Sequence, residues 1–83
     1  MNRYLVTFFS THHALKAEKL LKEKIKGVTL IPTPREISSE CGFSLFLENT
    51  NDSPQELLSS LSYEHLYMIG ANKQGERTYE KID

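Results

Sequence analysis

The sequence predicts an α+β fold in which two helices cover one face of an antiparallel sheet. Segments with strand and helix character follow one another in the order β-α-β-β-α-β, and capping residues precede both helical segments. This order is that of the ferredoxin-like sandwich, and right-handed crossovers give its four strands the order 4-1-3-2. Eighty-three residues make one domain, which we expect to span residues 1–83 with its core in 3–70.

The first half of the chain supplies a strand, a helix and a second strand. Residues 4–9 are rich in β-branched and aromatic side chains, which favours a strand. Ser10 and Thr11 can cap a helix over residues 12–26, whose apolar side chains recur at spacings of three and four. Gly27 is a natural helix end, and residues 28–31 predict a short edge strand that Pro32 terminates.

The second half repeats the pattern. Residues 43–47 alternate as a strand does, and Ser53, Pro54 and Glu56 form a capping box for a helix near residues 54–62. Residues 65–69 predict the fourth strand. Residues 71–83 are predicted either to extend it as a hairpin with a fifth edge strand or to form a mobile tail.

The loop at residues 33–42 holds the only cysteine of the chain, Cys41. About ten residues is long for a strand connection in a compact domain, and such loops are often functional. In the predicted topology, this loop and the start of the first helix lie at the same edge of the sheet. Cys41 is therefore expected close to Ser10, Thr11, His12 and His13.

A thiol at a helix N-terminus is easier to deprotonate, and the thiolate is the nucleophile. Arg35 adds a positive charge to the loop, while Ser38 and Ser39 offer hydroxyl donors to sulfur or to an anion. Gly42 lets the backbone turn tightly and leaves the thiol exposed to a large partner. The sequence thus predicts a one-cysteine nucleophile that can hold a transferable group.

Structural alternatives exist for these residues. A lone cysteine is often a small buried hydrophobe, and two histidines at a helix start are often surface residues. His12 and His13 could also donate a proton to the thiol or ligate a metal with Cys41. These three residues lack clear zinc-ligand spacing, so we assign no metal.

The composition of the chain argues against several classes of function. Ten basic and eleven acidic residues nearly cancel, which argues against a nucleic-acid surface and a polybasic membrane signal. No apolar run approaches the roughly 20 residues of a spanning helix. A single cysteine cannot form an internal disulfide, which favours a reducing cytoplasm.

Two strings carry a family resemblance. Residues 9–22, at the first helix, and residues 31–42, which contain Pro-Arg-x-Ile-Ser-Ser-x-Cys-Gly, resemble the Se/S carrier-like proteins, a family of short prokaryotic proteins. The resemblance runs from about residue 4 to residue 69, and Cys41 matches the family's cysteine. It implies a protein that carries sulfur or selenium on this cysteine and needs no cofactor beyond that transient atom.

Three functional hypotheses follow. The first is a carrier, rather than a turnover enzyme, that holds a persulfide or selenopersulfide on Cys41. Its partners would be a donor such as a cysteine desulfurase and an acceptor protein, and the sequence leaves a homo-oligomer open. The second is a protein-binding or regulatory module whose cysteine is structural. The third is a redox sensor whose thiol forms a mixed disulfide.

Overall fold

A computed structural model describes residues 3–37, 41–48 and 54–82 of the chain. Its strands and helices follow one another in the predicted order, with one strand added at the end. They are β1 (Arg3–Thr7), α1 (Thr11–Lys22), β2 (Val28–Pro32), β3 (Phe43–Glu48), α2 (Pro54–Leu57), β4 (His65–Ala71) and β5 (Arg77–Lys81).

The strands form one five-stranded sheet in the order β2-β3-β1-β4-β5, with every neighbouring pair antiparallel. The predicted sheet had four strands in the order 4-1-3-2. The observed sheet differs from it by β5, which extends the sheet beyond β4. Tyr4 lies between Leu47 of β3 and Met68 of β4, so β1 is central, as its run of buried apolar side chains requires.

A hairpin joins β4 to β5. The side-chain carboxamide oxygen of Asn72 accepts hydrogen bonds from the backbone N–H groups of Gln74 and Glu76, at 2.9 and 3.0 Å. Gly75 has a φ of 82°, which glycine adopts at no steric cost. Of the two alternatives for residues 71–83, the structure therefore shows the hairpin, while residue 83 lies outside the described part of the chain.

Both helices are shorter than predicted. Helix α1 ends at Lys22 because the next turn tightens, with the N–H groups of Lys24 and Ile25 both donating to the carbonyl of Leu21. Helix α2 spans only Pro54–Leu57. After it, the hydroxyl of Ser59 donates to the Glu56 carbonyl at 2.9 Å and competes with the helical pattern. The predicted cap Ser53 lies outside the described residues.

The sheet has two apolar faces. One carries the larger core, in which buried residues of β1, β3 and β4 pack against both helices. The other face, which we call the open face, carries a smaller cluster of apolar residues: Leu5, Ile31, Ile37, Phe46, Tyr67, Ile69 and Tyr79. Within the described residues, no helix has the length and apolar character needed to cross a membrane.

Candidate functional site

Thr33 closes the base of the loop between β2 and β3. Its backbone N–H donates to the carbonyl of Gly42 at 3.0 Å, which continues the β2–β3 ladder by one step. Its hydroxyl donates to the carbonyl of Cys41 at 3.1 Å and lies 2.7 Å from the hydroxyl of Ser44. Since the Thr33 proton goes to Cys41, the fully buried Ser44 donates to Thr33. These bonds fix the backbone of Cys41.

Sequence reasoning missed Thr33. The signal that could have found it is the strand register, because extending the Pro32–Phe43 pair by one residue places Thr33 opposite Gly42. That register becomes known only when the two strands are aligned in space. Without the register, Thr33 is an ordinary threonine at the end of a strand, a position that is common for this residue type.

The structure brings Cys41 and the start of α1 together. The Cys41 Sγ lies 3.8 Å from the hydroxyl oxygen of Thr11, the first residue of the helix. The backbone N–H of Phe43 donates to the same sulfur at 3.4 Å. Two polar groups from separate elements thus contact the thiol, as the predicted topology requires for Thr11.

The expectation of an exposed thiol is wrong. The Cys41 side chain is 2% exposed and belongs to the core on the helical face of the sheet, with Ala14 and Ala17 of α1. The physical reason is that the thiol points inward, where it behaves as a small apolar side chain. Thr11 and Gly42 are exposed, so the sulfur lies directly beneath surface residues.

Gly42 does not need the conformational freedom that the sequence suggested. Its φ is not positive, and a Cβ built at this position would have no heavy atom within 4 Å. The backbone bends at Gly42 in a conformation that does not require glycine.

Of the other predicted loop residues, only Arg35 can be placed in the described structure. Arg35 is exposed and forms no hydrogen bond or ion pair with another described residue. Ile37 closes a turn by donating to the carbonyl of Pro34 at 3.1 Å, and its side chain packs on the open face. Ser38 and Ser39 lie outside the described residues, so their predicted donor role stays a prediction.

His12 and His13 lie on α1 beside a pocket that is formed with residues 60–62. The Nδ1 atom of His13 is 2.6 Å from the hydroxyl of Ser10, and the two imidazole rings stand edge to face at 6.1 Å. Across residues 3–37, 41–48 and 54–82, no three histidine, cysteine or acidic side chains are grouped to hold a metal ion.

A family model described as "Putative Se/S carrier protein-like" matches residues 3–67. The chain belongs to this family. The match runs from β1 into β4 and includes the whole loop and Cys41, so the resemblance inferred from residues 9–22 and 31–42 is confirmed. No curated protein and no solved structure matches the chain.

Within this Se/S carrier-like domain, Thr33 is testable apart from any activity. We expect Thr33→Val to lower the free energy of unfolding by about 1–3 kcal/mol, because it leaves the buried Ser44 hydroxyl and the Cys41 carbonyl without this partner. Denaturant unfolding measures the change. Thr29→Val, an exposed threonine on the same strand, is the matched control and should stay within about 0.5 kcal/mol of wild type. Equal effects of the two substitutions would contradict the assignment.

Proposed function

We propose that the protein carries sulfur or selenium as a persulfide or selenopersulfide on Cys41. The observation that carries the proposal is the place of Cys41 inside the family match, beneath the first residue of α1. The family description names Se/S carriers, and Cys41 is the only thiol in the chain. A donor protein such as a cysteine desulfurase and an acceptor protein are the partners that this role needs.

The transfer is a thiol exchange that needs no external oxidant. The Cys41 thiolate attacks the outer sulfur of a donor persulfide, R–S–SH. A bond forms from Sγ to that sulfur, the donor S–S bond breaks, and the donor leaves as the thiolate R–S⁻. An acceptor thiolate then attacks the outer sulfur on Cys41 and releases the Cys41 thiolate. A selenium atom in the outer position moves by the same steps.

Two hydrogen-bond donors of the site can stabilise the negative charge on the Cys41 sulfur. The Thr11 hydroxyl and the Phe43 N–H both contact Sγ in the resting structure, and hydrogen bonds to an anionic acceptor are stronger than those to a neutral one. Arg35, Ser38 and Ser39 are proposed to act on the outer atom once it is attached. Because Cys41 is 2% exposed, attack also requires that its side chain turn outward when the partner binds.

The mass of the protein tests the proposal. After incubation with a cysteine desulfurase and cysteine, or with a selenium donor, we expect the native chain to gain one sulfur or selenium atom that a reductant removes. Failure of both donors to add an atom, with a thiol that an alkylating reagent still reaches, would refute the carrier function.

Thr11 provides a finer test. We expect Thr11→Val to shorten the lifetime of the Cys41 persulfide by about threefold to tenfold, because one hydrogen bond to the sulfur is lost while the side-chain shape is kept. Thr11→Ser retains the hydroxyl and should behave as wild type. The decay of the added sulfur, followed by mass over time, measures the lifetime, and an unchanged value for Thr11→Val would exclude this hydroxyl from the role.

A second function is favoured by the burial of Cys41. A thiol that is 2% exposed suits a structural cysteine in a protein-binding module, and the open face offers the partly buried Phe46, Tyr67 and Tyr79 as contact area. Alkylation separates the two functions. If Cys41 is a carrier thiol, an alkylating reagent should modify it in the native protein when a bound donor protein exposes it. If Cys41 is purely structural, the reagent should modify it only after the protein is unfolded. The weaker redox-sensor hypothesis instead requires a mixed disulfide with a small thiol, which mass also detects.

A further inference from the structure

A second candidate site lies in the pocket between α1 and residues 60–62. The pocket has a volume of about 190 Å³. Its polar lining consists of His12, His13, Lys16, Ser60 and Ser62, and Ala17 contributes to its apolar wall. Pockets for drug-sized molecules usually enclose about 300–1,000 Å³, so this one suits an ion or a very small molecule.

The polar side chains that line the pocket include one cation and four groups that can donate hydrogen bonds. Lys16 brings an ammonium group, His12 and His13 bring two imidazoles, and the two serines bring hydroxyls. Within the described part of the chain, no acidic side chain lines the pocket. The ion pair between Glu18 and Lys22 of α1 does not involve any lining residue. Lys16 is therefore not neutralised by a carboxylate of the pocket.

The hydrogen bonds of Ser10 set the orientation of His13. The Ser10 hydroxyl oxygen accepts from the backbone N–H of His13 at 3.3 Å, so its own proton is available to the Nδ1 atom 2.6 Å away. The Nδ1 atom is therefore engaged by Ser10, which leaves Nε2 as the ring nitrogen for a ligand. The helix cap thus holds the His13 ring in place.

We propose that this pocket binds a small tetrahedral oxyanion of the phosphate or sulfate class. Lysine is a common binder of such ions as a point charge, and imidazole N–H and serine O–H groups donate to their oxygens. The size, the charge and the donor set of the pocket all match this class. The inference does not depend on the carrier function, although His12 follows Thr11, whose hydroxyl contacts the Cys41 sulfur.

An NMR titration with sodium sulfate at constant ionic strength tests the site. We expect saturable shifts of the backbone amides at His12, Lys16, Ser60 and Ser62. Lys16→Gln should weaken binding by about fivefold or more, because one charge-assisted contact is lost. Lys19→Gln removes the same charge from an exposed position of α1 outside the pocket and should leave the affinity unchanged.

Sodium phosphate and sodium acetate form the other arms of the titration. Saturable binding of phosphate or sulfate that is tighter than that of acetate supports the proposed class. Tighter binding of acetate would assign a carboxylate site and overturn the proposal. Equal losses in Lys16→Gln and Lys19→Gln, or shifts that rise without saturation, would show general charge screening and would also overturn it.

Discussion

The Cys41→Ala variant is expected to gain no sulfur under conditions in which the native chain gains one atom. The reason is chemical, because Cys41 is the only thiol available as an acceptor. The substitution removes one small buried group, so the loss of folding free energy should be about 1 kcal/mol. Intact mass, before and after a reductant, gives the result, and circular dichroism confirms that the variant is folded.

Cys41→Ser is the companion variant, since it keeps a polar atom near the Thr11 hydroxyl and the Phe43 N–H. Neither variant should gain mass, although the serine is almost the size of the thiol. A reductant-sensitive mass gain in either folded variant would show that sulfur is held elsewhere, and it would remove Cys41 from the proposed function.

A large loss of stability is expected for Gly27→Ala. A Cβ at Gly27 would collide with the backbone carbonyl oxygen of Glu48 and lie 3.0 Å from its carbonyl carbon. The two strands cannot easily separate there, because the Glu48 N–H donates to the Gly27 carbonyl at 2.8 Å. Moving packed backbone costs about 1–3 kcal/mol or more, and denaturant unfolding should show a loss of this size.

Gly42→Ala is the matched control at the other end of the same strand pair. A methyl group there meets no heavy atom within 4 Å, and φ is not positive. Its free energy of unfolding should stay within about 0.5 kcal/mol of wild type. Similar losses in both variants would mean that the close approach of Gly27 to Glu48 is not what the fold depends on.

The strands and the helix start were predictable because local chemistry determines them. The apolar run in β1 has the composition of a central strand, and the N-cap is Ser10, one of the two caps that the sequence offered. The length of α2 was not predictable, since the apolar spacing of Leu57, Leu58 and Leu61 fits a longer helix. Helix α2 ends early where the Ser59 hydroxyl donates to the Glu56 carbonyl. This competing bond is seen only in the three-dimensional structure.

The candidate site was predictable in its position but not in its exposure. Topology alone places the loop beside α1, and the Cys41–Thr11 distance of 3.8 Å agrees with it. The direction of a side chain in an irregular loop follows no sequence period, so polar neighbours suggested an open thiol where the structure has a buried one. The role of Thr33 likewise depends on the register of β2 and β3.

The burial of Cys41 also has a kinetic consequence. A reagent reaches a thiol that is 2% exposed only during brief local openings, so its rate is the intrinsic rate multiplied by the open fraction. Each 1.4 kcal/mol or so of opening free energy lowers that fraction about tenfold. If Cys41 carries sulfur or selenium as proposed, the same factor would protect that atom from attack by small thiols. A partner that supplies the opening energy by binding would escape this factor. The proposed carrier would then select its partners by their access to the thiol rather than by the reactivity of the thiol.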